Sequence, residues 1–302
     1  MTGTVTELAV RSLAGLVDLD VERTQYRGHA RELAAAARGE LVVVHGGDGS
    51  INEVVNGVMS RDGGPEDAAA GRGADGKPLI AIIPGGGANV FARGLGLPVD
   101  AAAAIRRMRE AIAAGRHRTI GLGLAGDRYF TFCAGLGMDA EVVREVDRLR
   151  AEGRRENVSL YLRMMVCQYY RGTDRRRPAL TLERDGEPTV GDLFMTIITN
   201  RSPWTYFRGR PLLPVPHPDF NSGLDLLALR RLRVTTIVNA VGQMLYVRSH
   251  PPRGRDMLSV LGSESLTLRS VRPIALQADG EYLGETETVK FQFVPRALRV
   301  IA

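Results

Sequence analysis

Residues 41–57 run from an apolar, β-branched segment through a glycine turn into a helix-forming segment, LVVVHGGDGSINEVVNG. Gly46, Gly47 and Gly49 carry no Cβ atom, so the backbone can adopt positive φ angles and approach an anion closely. The helix predicted from about Ser50 adds the positive end of its dipole. The pattern predicts a strand–turn–helix unit that binds phosphate. A plain glycine turn with a capping Asp or Ser is the alternative.

Asp48 lies inside this glycine turn. A carboxylate would repel bound phosphates unless a divalent cation lay between them. Asp48 therefore predicts a nucleotide bound together with Mg²⁺ rather than a bare anion.

A second segment repeats the plan over residues 79–93, LIAIIPGGGANVFAR, with a helix expected from Ala88 or Asn89. Two such turns, each following a buried strand, belong at the same carboxyl edge of a parallel sheet, which is where open α/β sheets bind ligands. Neither turn has the Gly-Lys-Ser/Thr of a Walker loop or the glycine spacing of the dinucleotide fingerprint. A different phosphate-binding design is expected.

Three segments in this order resemble the diacylglycerol kinase catalytic family, which includes bacterial lipid kinases and the sphingosine and ceramide kinases. They are Gly46-Gly-Asp-Gly-Ser50 with Asn52-Glu53, then Pro84-Gly-Gly-Gly-Ala-Asn-Val-Phe-Ala-Arg93, then Gln277-Ala-Asp-Gly-Glu281. The resemblance covers the chain from about Thr24 to the C-terminal strand. It implies ATP and Mg²⁺ as cofactors and a lipid hydroxyl as acceptor, with diacylglycerol the default. Residues that this resemblance and the turn chemistry assign to nucleotide binding are Thr24, Gly46, Gly47, Asp48, Gly49, Ser50, Asn52, Gly85, Gly86, Gly87 and Asn89.

Phosphoryl transfer to an alcohol needs a base near the hydroxyl, and Asp279 and Glu281 are the candidates, with Asp48 as the third catalytic residue. Strand alternation would place both side chains on one face of a strand end, where one accepts the proton and the other orients it or binds metal. The alternative is a type I′ hairpin, because Asp-Gly between strands is a strong turn signal.

The family pattern also implies a cation loop in the second half of the chain. Asp219, Ser222 and the carbonyl of Leu224 could form its oxygen site, with Ser222 standing where relatives have an aspartate. Two more departures thin the expected metal network, since Val90 and Gly121 stand where acidic residues are frequent. Relatives open with a strand ending in Asn-Pro, whereas this chain begins at the following helix, which implies an upstream start or impaired activity.

The order of predicted helices and strands along the sequence indicates two domains. Residues 1–120 read as a doubly wound α/β nucleotide-binding domain, with helices at 5–17, 27–37 and 100–115 and strands at 19–23, from Leu41 and at 79–83. Residues 121–294 read as a β-rich, sandwich-like lipid domain with helices at about 139–151, 157–171 and 234–248 and with strands that include 264–269 and 273–278. By resemblance, a strand at about 295–302 returns to the first domain. Residues 60–77 read as a flexible loop.

Charge and composition bear on location and partners. The net charge is +6, with arginine clusters at 148–155, 171–177 and 230–233 that could dock on anionic lipid headgroups or simply be solvated. The chain shows no nucleic-acid recognition pattern, and its two cysteines and lack of a signal or spanning segment suit a cytoplasmic protein at the inner face of the membrane. A homodimer is possible.

Two other functions stay open on the sequence. One is an NAD kinase, which the segment from Asn89 to Arg93 disfavours. The other is a non-catalytic regulator that binds nucleotide or lipid. Phe132, Met138, Trp204, Tyr206 and Phe207 could line a lipid cleft, but core positions are the default for such residues. The loop 204–208 is the candidate to meet a membrane.

Overall fold

The computed structural model describes residues 2–61, 76–154, 158–200, 203–214, 219–246 and 249–302, so most of the loop predicted over 60–77 lies outside the described residues. The chain forms two units, one made of Met1–Gly121 with Val294–Ala302 and the other of Leu122–Phe293. The first unit is α/β and the second is rich in β-strands, so the predicted fold class is confirmed.

The first unit is built on a short parallel sheet. Its helices and strands are α1 (Thr2–Leu13), α2 (His29–Ala36), β1 (Leu41–Gly46), α3 (Asp48–Met59), β2 (Leu79–Pro84), α4 (Val90–Gly94) and α5 (Ala101–Ala113). Strand β1 pairs in parallel with β2. On the other side of β2, Val300 near the C-terminus pairs in parallel with Ile80. The sheet is therefore completed by the end of the chain.

Helix packing in this unit follows the apolar stripes of the sequence. Leu13 of α1 and Ile105 and Met108 of α5 are buried in one cluster with Ile83 of β2 and Ile301. Helix α3 lies very close to α2. A Cβ atom added to Gly57 would come within 2.3 Å of the Arg31 carbonyl oxygen. This close approach fixes α3 and, with it, the glycine turn at its N-terminus.

The second unit is an antiparallel sheet with helices packed against it. Its elements, with β3 beginning in the first unit and β14 ending there, are β3 (Arg118–Ala125), β4 (Arg128–Phe130), β5 (Cys133–Gly137), α6 (Met138–Ala151), α7 (Val158–Cys167), a π-helix (Gln168–Gly172), β6 (Leu180–Glu183), β7 (Val190–Leu193), β8 (Met195–Thr199), β9 (Thr205–Phe207), β10 (Arg210–Leu212), β11 (Leu224–Leu229), α8 (Val234–Tyr246), β12 (Met257–Ser263), β13 (Ser265–Ala278) and β14 (Glu281–Val300). The strands run in the order β14-β13-β5-β8-β11-β12. The π-helix and α8 pack on one side through Tyr169, Ile237 and Ala240.

The sequence predictions about individual elements have mixed outcomes. Residues 19–23 are irregular and Val21 is half exposed, because alternation makes a strand only where a neighbour supplies hydrogen bonds, and none pairs with it in the described part of the chain. The strands predicted at 264–269 and 273–278 are one strand, β13, whose register shifts between Arg269 and Ile274. Residues 204–208 belong to the β9–β10 hairpin, where Trp204 and Phe207 are partly buried against the core. Phe132 and Met138 are core residues, as the default interpretation held.

Candidate functional site

The two glycine turns lie side by side at the carboxyl ends of β1 and β2. The register of these strands runs from Leu41 opposite Leu79 to Gly46 opposite Pro84, so both turns begin at the same level. The Gly85 N–H donates to the Gly46 carbonyl oxygen at 2.9 Å, which joins one turn to the other. The adjacency expected from the sequence is therefore present.

Glycine is needed in these turns for close approach and not for its φ range. A Cβ atom on Gly86 would lie 2.7 Å from the Gly47 Cα atom, and one on Gly46 would lie 2.7 Å from the Ser50 Cβ atom. No glycine of the two turns has a positive φ, so the left-handed range that glycine permits is not used there. The two backbones are in direct contact, and any side chain at Gly86 would separate them.

Asn89 sets the shape of the second turn. Its side chain is buried, its φ of 48° is left-handed, and it bonds Gly86 twice, accepting from the Gly86 N–H at 2.9 Å and donating to the Gly86 carbonyl oxygen at 2.8 Å. The amides of Gly85 and Gly86 are thus used within the protein. The amides of Gly87 and Ala88 are exposed and have no hydrogen-bond partner among the described residues. Sequence reasoning overlooked Ala88, because in the second turn it assigned nucleotide binding to the three glycines and Asn89 only.

Asp48 connects the two turns. Helix α3 begins at Asp48, two residues before the expected start, with Gly47 as its N-cap. The Asp48 carboxylate accepts hydrogen bonds from the amides of Val90 at 2.9 Å and Phe91 at 3.1 Å, which are the first residues of α4. Asp48 therefore caps a helix 42 residues further along the chain, a role that the sequence does not reveal. A carboxylate oxygen can accept a further interaction, so this cap is compatible with metal binding.

The other residues predicted near the nucleotide lie in different environments. Ser50 is exposed in the first turn of α3, whereas Asn52 is fully buried and accepts a hydrogen bond from Asn56 at 3.0 Å. Thr24 is exposed in an irregular segment. His45, at the end of β1, lies beside Gly85, and burial lowers the pKa of its imidazole, which keeps it neutral at pH 7.

In the second unit, Asp279 and Gly280 form the two-residue turn between β13 and β14. Their φ angles are 50° and 78°, as a type I′ turn requires, and Ala278 faces Glu281 across it. Because Asp279 belongs to this turn, the alternation that would place it on one strand face with Glu281 does not apply. The turn interpretation is confirmed.

The Asp279 carboxylate is buried and anchors the bend between β4 and β5. It accepts from the Thr131 amide at 2.6 Å, the Thr131 hydroxyl at 2.8 Å, the Phe132 amide at 3.0 Å and the Cys133 amide at 3.1 Å. Burial raises the pKa of Asp279, and these hydrogen bonds, which favour the ionised form, act against that rise. Such a carboxylate holds the local backbone together.

Glu281 and Asp139 are two further acidic groups around this turn. Glu281 forms an ion pair with Arg128 at 2.9 Å, and both side chains are mostly buried. Asp139, at the start of α6, accepts from Gln277 Nε2 at 2.8 Å, while Gln277 Oε1 accepts from the Gly280 amide at 3.0 Å. Burial raises the pKa of Asp139 to about 6. Sequence reasoning missed Arg128, Thr131 and Asp139, since nothing local marks them as neighbours of this turn.

The Asp219 side chain forms hydrogen bonds within the predicted cation loop. Asp219 accepts hydrogen bonds from the Ser222 hydroxyl and from the Asn221 amide, the latter at 3.1 Å, while Leu224 begins β11. Within the described ranges there is no cluster of three or more His, Cys, Asp or Glu residues that could hold a metal ion. Asp219, Ser222 and Leu224 remain a predicted site.

The fold is shared with solved kinases. A diacylglycerol kinase from Bacillus anthracis str. Sterne superposes with a TM-score of 0.67 at 18% identity, covering 99% of this chain and 90% of that one. An NAD kinase from Archaeoglobus fulgidus, solved in complex with ATP, superposes with a TM-score of 0.51 at 12% identity, covering 100% and 90%. The fold class is therefore that of the diacylglycerol and NAD kinases.

Sequence comparison identifies the family within this class. Residues 5–124 match the model of the diacylglycerol kinase catalytic domain. The diacylglycerol kinase of Bacillus subtilis (strain 168) is 26% identical over 219 residues, which are 72% of this chain and 64% of that protein. The matched region thus spans just under two thirds of that relative. The chain is thus similar to the diacylglycerol kinases, and the match to their catalytic-domain model lies in residues 5–124.

Proposed function

We propose that this protein is an ATP-dependent lipid kinase that transfers the γ-phosphoryl group to a lipid hydroxyl, converting diacylglycerol to phosphatidic acid. The observation that carries the proposal is the contact between the two glycine turns, in which Gly87 and Ala88 are exposed and their amides have no partner among the described residues. Backbone donors in such turns and at a helix N-terminus suit a polyphosphate. Similarity to the diacylglycerol kinases supports the lipid acceptor.

The phosphates of ATP would be held by backbone groups of both turns. Gly87 and Ala88 donate from the second turn, and the amides of Gly49 and Ser50 donate from the first turn of α3. Mg²⁺ would bind the phosphates and an oxygen of Asp48, neutralising charge as the γ-phosphoryl group moves. The proposal keeps Gly85, Gly86 and Asn89 as the frame of this site rather than as donors.

Glu281 is the proposed base and Asp279 its support. The lipid hydroxyl oxygen bonds to the γ-phosphorus, the bond to the β–γ bridging oxygen breaks, ADP leaves, and the hydroxyl proton passes to Glu281. Arg128, which pairs with Glu281 at 2.9 Å, orients its carboxylate. Asp279 is assigned a positioning role, because its four hydrogen bonds commit it to the bend at 131–133.

The proposal divides the work between the domains and sets a location. Residues 1–120 with about 295–302 bind nucleotide, and residues 121–294 bind lipid. The protein would work in the cytoplasm at the inner face of the membrane. No described helix is both long enough and apolar enough to cross a bilayer.

A label-transfer assay tests the proposal. Purified protein with γ-labelled ATP and Mg²⁺ is offered diacylglycerol in micelles, other lipid alcohols, and NAD. Transfer to diacylglycerol is expected, whereas transfer to NAD alone would make the protein an NAD kinase. Tight ATP binding without transfer to any acceptor would favour a non-catalytic regulator.

The role of Glu281 has a matched control on the same strand. Glu281→Gln keeps an oxygen for Arg128 but removes the base, so transfer should fall by at least about 100-fold while ATP binding is kept. Glu285→Gln makes the same chemical change at a half-exposed residue that pairs with Arg144, and should leave transfer unchanged. Equal activity of both variants would refute the assignment of Glu281.

A further inference from the structure

A large, arginine-lined cleft lies within the second unit, outside the residues assigned to transfer. Its volume is about 1030 Å³, and its walls come from the segments around 173–178 and 230–235. Five arginines and two aspartates line it: Arg175, Arg176, Arg230, Arg231, Arg233, Asp174 and Asp192. The fold therefore brings two of the three arginine clusters of the sequence together at one positively charged surface.

The arginines of this cleft differ from those of the third cluster. Arg148 pairs with Glu145 and Glu152, and Arg150 pairs with Asp147, so these two arginines are paired with acidic residues of their own segment. Arg176 and Arg233 are exposed, and neither side chain has an ion pair or hydrogen bond among the described residues.

The remaining cleft arginines are held loosely. Arg231 lies 3.6 Å from Asp256, and Arg230 donates a long 3.4 Å bond to the Gly191 carbonyl oxygen. Arg175 lies over the ring of Tyr169 at 4.3 Å. The cleft thus keeps unneutralised positive charge available to an anionic partner.

Exposed apolar side chains lie on α8 and on α7 with the π-helix that follows it, and these elements reach the cleft at Val234 and Tyr169. Val234 lines the cleft and is 51% exposed, and Val238, one turn further along α8, is 64% exposed. Tyr170 is 66% exposed with Arg175 at 5.8 Å from its ring, and Val166 and Leu162 precede it at four-residue spacing. We name Leu162, Val166, Tyr170, Val234 and Val238 the apolar rim. Exposed aliphatic and aromatic side chains beside unpaired arginines are typical of a surface that lies in a membrane interface.

We propose that the cleft and the apolar rim dock this protein onto bilayers that contain anionic phospholipid. The arginines would bind the headgroup phosphates, and the apolar rim would enter the boundary between headgroups and acyl chains. A soluble phosphate would leave the apolar rim without a purpose and would fill only a small part of the cleft. The inference rests on the proposed function only in that a lipid kinase must reach its substrate at a membrane.

Vesicle sedimentation tests the proposal with the full chain and without nucleotide. Vesicles of phosphatidylcholine alone are compared with vesicles that also contain phosphatidylglycerol. The protein is expected to sediment with the anionic vesicles, and the bound fraction should fall as salt rises, because salt screens exposed charges. Equal binding to both kinds of vesicle would overturn the proposal. Thermal stabilisation of the protein by soluble glycerol phosphate, without binding to vesicles, would also overturn it.

Charge reversal locates the binding surface. Arg176→Glu with Arg233→Glu should weaken binding to anionic vesicles about thirtyfold, at about fivefold for each arginine. Arg106→Glu with Arg109→Glu makes the same change of net charge on exposed α5 residues outside the cleft and should weaken binding far less. Equal losses would mean that only net charge matters and would overturn the proposal.

The apolar rim has its own variants. Val234→Ser with Val238→Ser should weaken vesicle binding about tenfold, since both side chains lose apolar area that the bilayer would cover. Val99→Ser, at a residue 54% exposed outside the cleft, should not change it. All these residues are exposed, and thermal unfolding of each variant checks that it remains folded. Unchanged binding by the folded double variant would refute the role of the apolar rim.

Failure of this inference can be told apart from failure of the proposed function. Vesicle binding that depends on Arg176 and Arg233, with no transfer to any lipid in micelles, would refute the kinase assignment and leave the docking surface standing. Transfer by the wild-type protein in micelles, with vesicle binding independent of both arginines, would refute the docking surface and leave the kinase assignment standing.

Discussion

Replacement of Gly86 by alanine would test whether contact between the two glycine turns forms the proposed phosphate site. The new Cβ atom would lie 2.7 Å from the Gly47 Cα atom and 3.1 Å from Asn89 Oδ1. Carbon atoms pack at about 3.5–4.0 Å, so the turns must separate by about 1 Å. Strain of this kind costs about 1–3 kcal/mol of folding stability.

The same shift should damage nucleotide binding, because the proposed donors lie on both turns. A hydrogen bond stretched by about 1 Å is lost, and each bond to a charged group contributes about 1.5–3 kcal/mol. We therefore expect ATP affinity to fall by at least about tenfold. Titration calorimetry with ATP measures the affinity, and thermal unfolding measures the stability.

Gly39→Ala is the control, since Gly39 is exposed in the same unit and its Cβ atom would meet nothing closer than 3.6 Å. It should resemble the wild type in both measurements. If Gly86→Ala also binds ATP with wild-type affinity and unfolds at the wild-type temperature, the contact between the turns has no role in the site.

Three further predictions concern the carboxylates of Asp48, Asp139 and Asp279. Asp48→Ala should lower stability by about 1–3 kcal/mol in metal-free buffer, because two amides of α4 lose their acceptor. Asp100→Ala removes the cap of α5, which is a single hydrogen bond, and serves as the benchmark at about 1 kcal/mol. If Asp48→Ala leaves the unfolding temperature unchanged, this aspartate serves only a metal. Thr131→Val removes a hydroxyl that donates to Asp279 and should cost about 1–3 kcal/mol in urea denaturation, where an unchanged midpoint would contradict the anchoring role. Folding raises the pKa of Asp139 from 3.8 to about 6, so ionisation opposes folding and wild-type stability should lose about 3 kcal/mol as pH rises from about 3 to about 7. The Asp139→Asn variant should not lose stability in this way. If the stabilities of the two proteins change with pH in parallel, the loss does not come from Asp139.

Local features of the sequence predicted the strand–turn–helix units correctly. An apolar run, a glycine turn and helical periodicity occupy adjacent residues, so β1–α3 and the start of the β2 unit could be read directly. The Asp-Gly hairpin at 279–280 is equally local. Strand 19–23 failed because its outcome depended on a pairing partner, which alternation within one segment cannot supply.

The uses of the acidic residues could not be predicted, because their partners are distant in sequence. Asp48 is bonded by Val90 and Phe91, and Asp279 is bonded by residues 131–133, almost 150 positions earlier. Family resemblance marks both aspartates without saying what they contact. The arginine clusters looked alike in the sequence, and only the fold shows which are neutralised and which line a cleft.

The completion of the first sheet by the end of the chain has a consequence for biosynthesis. Val300 pairs with Ile80, and the Ile301 N–H donates to the Ile80 carbonyl oxygen at 2.9 Å. On the ribosome, β2 is made about 220 residues before this partner, a delay of roughly 10–45 s at ordinary elongation rates. Throughout that interval one edge of β2 lacks its neighbour and is open to wrong pairing. The first unit is thus begun early in translation but can be finished only after about 220 further residues have been made.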